Sequence, residues 1–277
     1  MVSQSFPIVS SGKRGKSDLY FVRSLIQQRL PFTFIRFSDG EMEILRNSPL
    51  EIAESLVRWS KGMSSFSYPS YDFKVFDPER NEEMRSLLLA SAEFTASNYF
   101  KGIPTRHNRV PVDTQFMVSL NGGITNLTFA DLFLNSNYQS FVNEVLPLIV
   151  NADDVLLIGN YRMQVERLNP NWQFLPIPDN AFNDFVGVVE TAVASCLQLP
   201  EKFTILSSAS SLSNVIGHQL RKERPDLTFI DVGTTLHPFT GMPPSNRSYL
   251  SQTEPWALKN SVTKLKYLLS PGRKLTW

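Results

Sequence analysis

The sequence predicts an α/β fold of the Rossmann-like kind, a mostly parallel sheet with helices on both faces, and three observations carry that expectation. Short apolar runs that read as strands alternate with longer periodic stretches that read as helices through the second half of the chain. The connections between successive strand-like runs are too long for hairpins and hold a helix each, as parallel pairing requires. The runs are continuously apolar, as strands covered on both faces should be.

Taken in order, Phe32 to Phe37 is apolar and β-prone and stops at Ser38-Asp39-Gly40, so it reads as a buried strand entering a tight turn. A helical pattern is expected next through Ile52, Leu56 and Trp59, then a loop rich in Ser, Tyr and Pro from Met63 to Pro78, of a length often found at functional sites. Met84, Leu87, Leu88 and Ser91 recur at helical spacing behind an acidic first turn, which predicts a helix over Glu79 to Phe100. Thr114 to Leu120 reads as a second strand, closed by Asn121-Gly122-Gly123.

The second half is more regular. Asp154 to Ile158 reads as a strand ending at Gly159-Asn160, Trp172 to Ile177 as another, and Asp184 to Leu199 as an apolar helix. The alternation repeats with a strand at Phe203 to Leu206, a small-residue turn at Ser207 to Ser210, an amphipathic helix at Leu212 to Leu220 and a strand at Leu227 to Val232. From Thr240 onward Pro243, Pro244, Pro255 and Pro271 interrupt any pattern. We read residues 1–277 as a single domain, with 1–17 flexible and 240–277 a C-terminal extension packing on it. The basic, aromatic end of that extension allows peripheral membrane contact at most; a packed helix with a solvated basic face is the favoured reading.

Composition narrows the function classes. With 277 residues and 42% hydrophobic content the chain can bury a full core. A formal net charge of +1, from 27 basic and 26 acidic side chains, gives no field for holding a polyanion, which argues against a nucleic-acid partner. Cys196 is the only cysteine, so an intrachain disulfide and a thiolate metal cluster are both excluded, and a reducing compartment fits best. No secretory apolar stretch follows the basic run at Lys13, Arg14 and Lys16, and no window approaches the ~20 apolar residues of a membrane span, so a cytoplasmic location is expected.

The sharpest local signal is Arg36-Phe37-Ser38-Asp39-Gly40-Glu41, at the carboxyl end of the first strand, the edge where open parallel sheets bind ligands. In an extended chain residues i and i+2 project to one side, so Asp39 and Glu41 are candidate ligands of one cation, and Gly40 allows close backbone approach. Two hard oxygen donors without His or Cys favour Mg²⁺ or Mn²⁺, completed by substrate phosphates. The plain alternative is a turn dipeptide followed by a glutamate in the first turn of a helix.

The run Phe34 to Glu41 resembles the Arg-Phe-Gly-Asp-Gly-Glu signature of the GT-D-type glycosyltransferases, with Ser38 in place of the usual glycine. Phe203 to Gly217 and Phe229-Ile230-Asp231-Val232-Gly233 resemble that family's strand, small-residue turn and helix leading to a second strand that ends in Asp-x-Gly, so the similarity spans roughly Phe32 to Phe239. The resemblance implies a metal-dependent transferase that moves a sugar from a nucleotide-diphosphate sugar to an acceptor glycan, in surface polysaccharide or glycoprotein biosynthesis. By it, Asp39 and Glu41 hold the Mn²⁺ or Mg²⁺. The segment Thr234-Thr235-Leu236-His237 lacks the histidine that many relatives place directly after the glycine, so no role is carried to that position.

Such chemistry needs more groups. Arg36 is the first candidate for a cation at the leaving diphosphate, a buried ion pair with a nearby carboxylate being its alternative; Arg162 and Arg167 are further candidates. The turn holding Ser207, Ser208 and Ser210 offers either a phosphate site at a helix start or an ordinary N-cap. Gly159 and Asn160 end one strand, and Asp231 and Gly233 end another; all four are candidates for the nucleotide-sugar site, with turn formation the alternative for the last pair. An inverting transfer needs a general base, for which Asp72, close to Tyr68 and Tyr71, leads Asp113 and His107, while His218 and His237 read as structural. A non-catalytic nucleotide-binding module and a metal-assisted phosphohydrolase are the competing readings. No Gly-x-Gly-x-x-Gly or Walker sequence supports a dehydrogenase or an ATPase.

Overall fold

A computed structural model describes residues 16–53, 57–59, 62–64, 69–104 and 110–242. Leu56, Tyr68, His107, the residues before 16 and the C-terminal extension beyond 242 lie outside the described residues. The strands are β1 (Thr33–Arg36), β2 (Leu50–Ile52), β3 (Val57–Trp59), β4 (Gly62–Ser64), β5 (Lys74–Phe76), β6 (Tyr99–Ile103), β7 (Leu127–Phe129), β8 (Val155–Asn160), β9 (Gln173–Ile177), β10 (Thr204–Ser208) and β11 (Thr228–Asp231). The helices are α1 (Lys16–Gln27), α2 (Asp39–Leu45), α3 (Glu82–Glu93), α4 (Val110–Asn121), α5 (Tyr138–Ser140), α6 (Leu146–Val150), α7 (Phe185–Leu197) and α8 (Leu212–Glu223), with a π-helical turn at Phe141–Val145 joining α5 to α6.

Seven strands form one sheet in the order β7-β6-β1-β11-β10-β8-β9, and every neighbouring pair is parallel. Successive side chains of its central strands feed two different cores. Ile35, Ile205 and Phe229 pack with Leu88, Val189 and Ile216 of α3, α7 and α8 on one face. Phe34, Leu206 and Ile230 pack with Leu19, Val22, Phe141 and Ile149 on the other. The strands are continuously apolar because both their faces are covered, and this is the architecture expected from the sequence. Among the described residues no helix is long and apolar enough to cross a membrane.

Three expectations are corrected. The helical pattern through Ile52 and Trp59 is instead a hairpin in a four-stranded antiparallel sheet, β4-β3-β2-β5, while the helix lies earlier, at α2. Ser38 starts α2 directly after the strand, and Asn47 ends its last turn at φ 59°, with Asn47 N–H and Ser48 N–H donating to Ile44 and Glu43 carbonyls. Thr114 to Leu120 belongs to α4, and its buried residues Asp113, Met117 and Asn121 recur every four positions, a helical period hidden among β-prone neighbours. The helix α3 stops at Glu93, and Tyr99 and Phe100 begin β6. That strand was masked by Lys101, which is fully buried and donates from Nζ to the Ala92 and Phe94 carbonyls at 2.6 and 2.8 Å.

His218, on α8, sits against the rings of Phe94 and Tyr99 at centroid distances of 5.0 and 6.5 Å, a structural position as the sequence suggested. Burial first, then the charges of Lys222 and Lys101, lower its pKa from 6.5 to about 4. The unfolded chain takes up this proton near 6.5 and the folded chain only near 4, so the stability tied to neutral His218 is complete above pH 6.5. It is lost as pH falls toward 4, by up to about 3 kcal/mol. Urea unfolding at pH 7.0, 5.5 and 4.5 should show His218→Phe losing less stability on acidification than the parent protein; parallel losses in the two would refute this origin.

Candidate active site

A cavity of about 230 Å³ opens at the carboxyl ends of β1, β8, β10 and β11. Its place follows from the strand order. The chain leaves β8 outward to β9 but leaves β10 inward to β11, so the connections diverge there and a crevice stays open. The small antiparallel sheet supplies the facing wall through Ile52 and Lys74.

Ser38 is extended, at φ −99° and ψ −172°, and α2 begins with Asp39. The chain through Asp39 and Glu41 is therefore helical rather than extended, and the two side chains leave the axis ~200° apart instead of on one side. Both still line the cavity. Glu41 reaches back to the Ser38 N–H at 2.9 Å, the carboxylate half of a capping box, and the hydroxyls of Ser38 and Ser211 donate to its two oxygens. Only 4% of Glu41 is exposed. Burial pushes its pKa up, but the Lys74 charge and the Ser211 and Ser38 hydroxyls outweigh burial and leave it below the ordinary carboxylate value.

Arg36 forms the buried ion pair that was its alternative reading. Its Nη2 donates to Asp231 Oδ1 at 2.9 Å, and the same oxygen accepts the Gly233 N–H at 2.9 Å. Burial raises the pKa of Asp231 and Glu41 adds to that, while Arg36 and the Gly233 N–H oppose it. Gly233 sits at φ 52°, and a Cβ there would lie 2.0 Å from the Arg36 guanidinium, so the position requires glycine for both reasons.

Sequence reasoning missed Lys74. On β5 its side chain shares a face with buried Phe76, while Val75 is 55% exposed; this alternation was the available signal. Its Nζ donates to the Ser210 hydroxyl and lies 3.4 Å from Asp72 Oδ1. His237, read from the sequence as structural, is 7% exposed and also lines the cavity. The 3-10 helix Gly233–Phe239 brings it to the cavity wall, with Nε2 3.4 Å from the Ser208 hydroxyl, which donates to the Gly233 carbonyl at 2.6 Å.

Of the other candidates, Gly40, Asp72, Asn160, Ser208, Ser210, Asp231 and Gly233 line the cavity. Ser207 does not; it is buried beneath, bonded to Ser213 at 2.8 Å. Gly159 also lies beneath, where a Cβ would meet Met163 sulfur at 2.5 Å, so it is a packing glycine. The N–H groups of Leu212, Ser213 and Asn214 already donate to the carbonyls of Ala209, Ser210 and Ser211, so the α8 start offers fewer donors than expected. Arg162 is fixed by Asp179, which Asn160 also holds, and lies over the Tyr161 ring at 4.7 Å. Asp113 pairs with Arg46 at 2.6 Å, away from the cavity lining. Asn180 pins the wall that carries Asp72 and Lys74, its N–H donating to the Tyr71 carbonyl at 2.9 Å and its Oδ1 accepting the Phe73 N–H at 2.8 Å.

Two cationic side chains, Arg36 and Lys74, face four carboxylates, Asp39, Glu41, Asp72 and Asp231, among the described lining residues. With all of them ionised the cavity holds two negative charges in excess, so it suits a cation better than a bare anion. A divalent ion fits this donor set in kind. Among the described residues no group of three or more His, Cys, Asp or Glu side chains is placed to hold a metal. One or two carboxylates completed by phosphate oxygens is the usual arrangement for Mg²⁺, and both oxygens of Glu41 already accept from hydroxyls.

No known family's profile matches the sequence, and no curated protein matches it. A structure described as the selenomethionine-substituted domain of unknown function 1792 is similar at a TM-score of 0.51 and 14% identity, over 78% of this chain and 77% of that one. Two others were also found. One is described as showing that domain 1792 has a distinct glycosyltransferase fold (TM-score 0.49, 14% identity, 78% and 77% covered). The other is described as a new glycosyltransferase of domain 1792 from Streptococcus sanguinis (TM-score 0.47, 15% identity, 78% and 80% covered). The first likeness shows a shared α/β fold.

Arg36→Met strands the Asp231 carboxylate and should cost about 3–5 kcal/mol in urea unfolding, of which a further Asp231→Asn change restores a substantial part. Strict additivity of the two single changes would show that the pair is not coupled.

Proposed function

We propose that the cavity binds a nucleotide-diphosphate sugar together with Mn²⁺ or Mg²⁺, and that the protein transfers the sugar to an acceptor glycan in surface polysaccharide or glycoprotein biosynthesis. The observation that carries this reading is the excess of carboxylate in a polar cavity at the sheet's carboxyl edge. A diphosphate entering alone would be repelled there, whereas one that arrives with a divalent ion balances the charge. The signature-like run Arg36 to Glu41 forms one lip of that cavity, which supports the same assignment.

Each lining group then has a task. Asp39 would hold the ion, and Glu41 contributes a negative charge fixed by Ser38 and Ser211. The bound ion supplies Lewis-acid stabilisation of the departing diphosphate. Arg36 aims Asp231 toward the cavity and leaves its second oxygen for a ribose or sugar hydroxyl. Ser208, Ser210 and Asn160 offer polar contacts around the donor. Asp72, which lines the cavity with 37% of its side chain exposed, would take the proton of an incoming acceptor hydroxyl.

Thermal melting of the purified protein with a panel of nucleotide sugars, with and without Mn²⁺, tests the donor site. One donor at ~100 times its dissociation constant should stabilise by about 2.7 kcal/mol. The shift should require Mn²⁺ and vanish in Asp39→Ala; a panel with no stabilising member would end the proposal. Asp72→Asn should slow transfer by ~10²- to 10⁴-fold without weakening donor binding. Release of sugar or phosphate at full rate without acceptor would favour the phosphohydrolase instead.

A further inference from the structure

We infer that Lys74, acting with the Ser210 hydroxyl, grips the diphosphate of the donor; this rests on the nucleotide-sugar reading above. The two cations on the cavity wall are built for different work. Arg36 is held by Asp231 at 2.9 Å and packs directly against Gly233, so its charge is already committed to a buried carboxylate. Lys74 reaches into the cavity from the opposite wall, on a stem that is 11% exposed, and its ammonium meets Ser210 and, at a long 3.4 Å, Asp72. A lysine ammonium is a compact charge with three donors on a flexible stem, suited to following a phosphate that changes position as it leaves.

Ser210 strengthens the assignment. It is a non-glycine residue at φ 54°, in the turn directly after β10, and backbone in that region is tolerated where the surroundings fix it. That conformation sets its hydroxyl under Lys74, 136 residues away in sequence, so two separately built elements converge on one point of the cavity. The neighbouring carboxylates Glu41 and Asp72 place this cation beside the proposed ion site. A diphosphate bridging from Asp39 toward Ser210 would thus meet positive charge at both ends. Were Lys74 only the counter-charge of Glu41, its loss would lower stability and leave phosphate recognition untouched.

The test is calorimetric titration of the full chain in Mn²⁺ with UDP, dTDP, GDP, CDP and ADP, each against its monophosphate. For the base that binds, the diphosphate should be preferred by ~10- to 100-fold, Lys74→Gln should shrink the preference to about threefold or less, and Lys74→Arg should keep most of it. A preference unchanged in Lys74→Gln, or affinities for both nucleotides that fall in parallel, overturns the Lys74 assignment and leaves the donor reading standing. Failure of the parent protein to bind any of the five diphosphates overturns the donor reading itself. Should Lys74→Gln not fold, amine acylation of the parent protein decides. Saturating diphosphate should protect Lys74 from labelling, and undiminished labelling refutes the contact.

Discussion

The carboxylate of Glu41 is the joint on which the carboxyl edge of the sheet depends. It is buried, yet it accepts from the Ser38 N–H and hydroxyl on its own helix and from the Ser211 hydroxyl at the start of α8, with the Lys74 charge close by on the small sheet. Three segments distant in sequence are thereby tied to one charged group. A buried ion is costly unless it is satisfied in this way, and once satisfied it tolerates little movement in its partners. The β1–α2 turn, the β10–α8 turn and β5 are held in mutual register as a result, and the cavity is the space between them.

That arrangement also explains why the acidic pair differs from the picture in the primary structure. Read as extended chain, Asp39 and Glu41 look equivalent. Ser38 is the N-cap and α2 starts at once with Asp39, so the two acids leave the helix in different directions: both line the cavity, while the Glu41 carboxylate also turns back to the Ser38 N–H.

How much was legible followed from which forces are local. The strands β1, β8, β10 and β11 announce themselves because burial on both faces makes their central positions apolar, and the edge they share pointed to cavity residues such as Asp39, Asn160, Ser208 and Asp231. The small sheet was invisible because three-residue strands such as β2 and β5 carry too few positions for a period to show. The strand β6 was hidden by Lys101, whose burial is made good by carbonyls at the end of α3 that no local pattern reveals. Lys74 escaped for the related reason that its contact with Ser210 joins residues more than a hundred positions apart, and the approach of His237 to Ser208 likewise spans α8 and β11.

The clasp made by Asn180 bears on what the cavity will admit. Because its amide oxygen and backbone N–H hold Phe73 and Tyr71 together, the rim bearing Asp72 and Lys74 is welded to the end of β9. Whatever enters the cavity passes a rim whose stretch from Tyr71 to Phe73 is tied back at two points to Asn180.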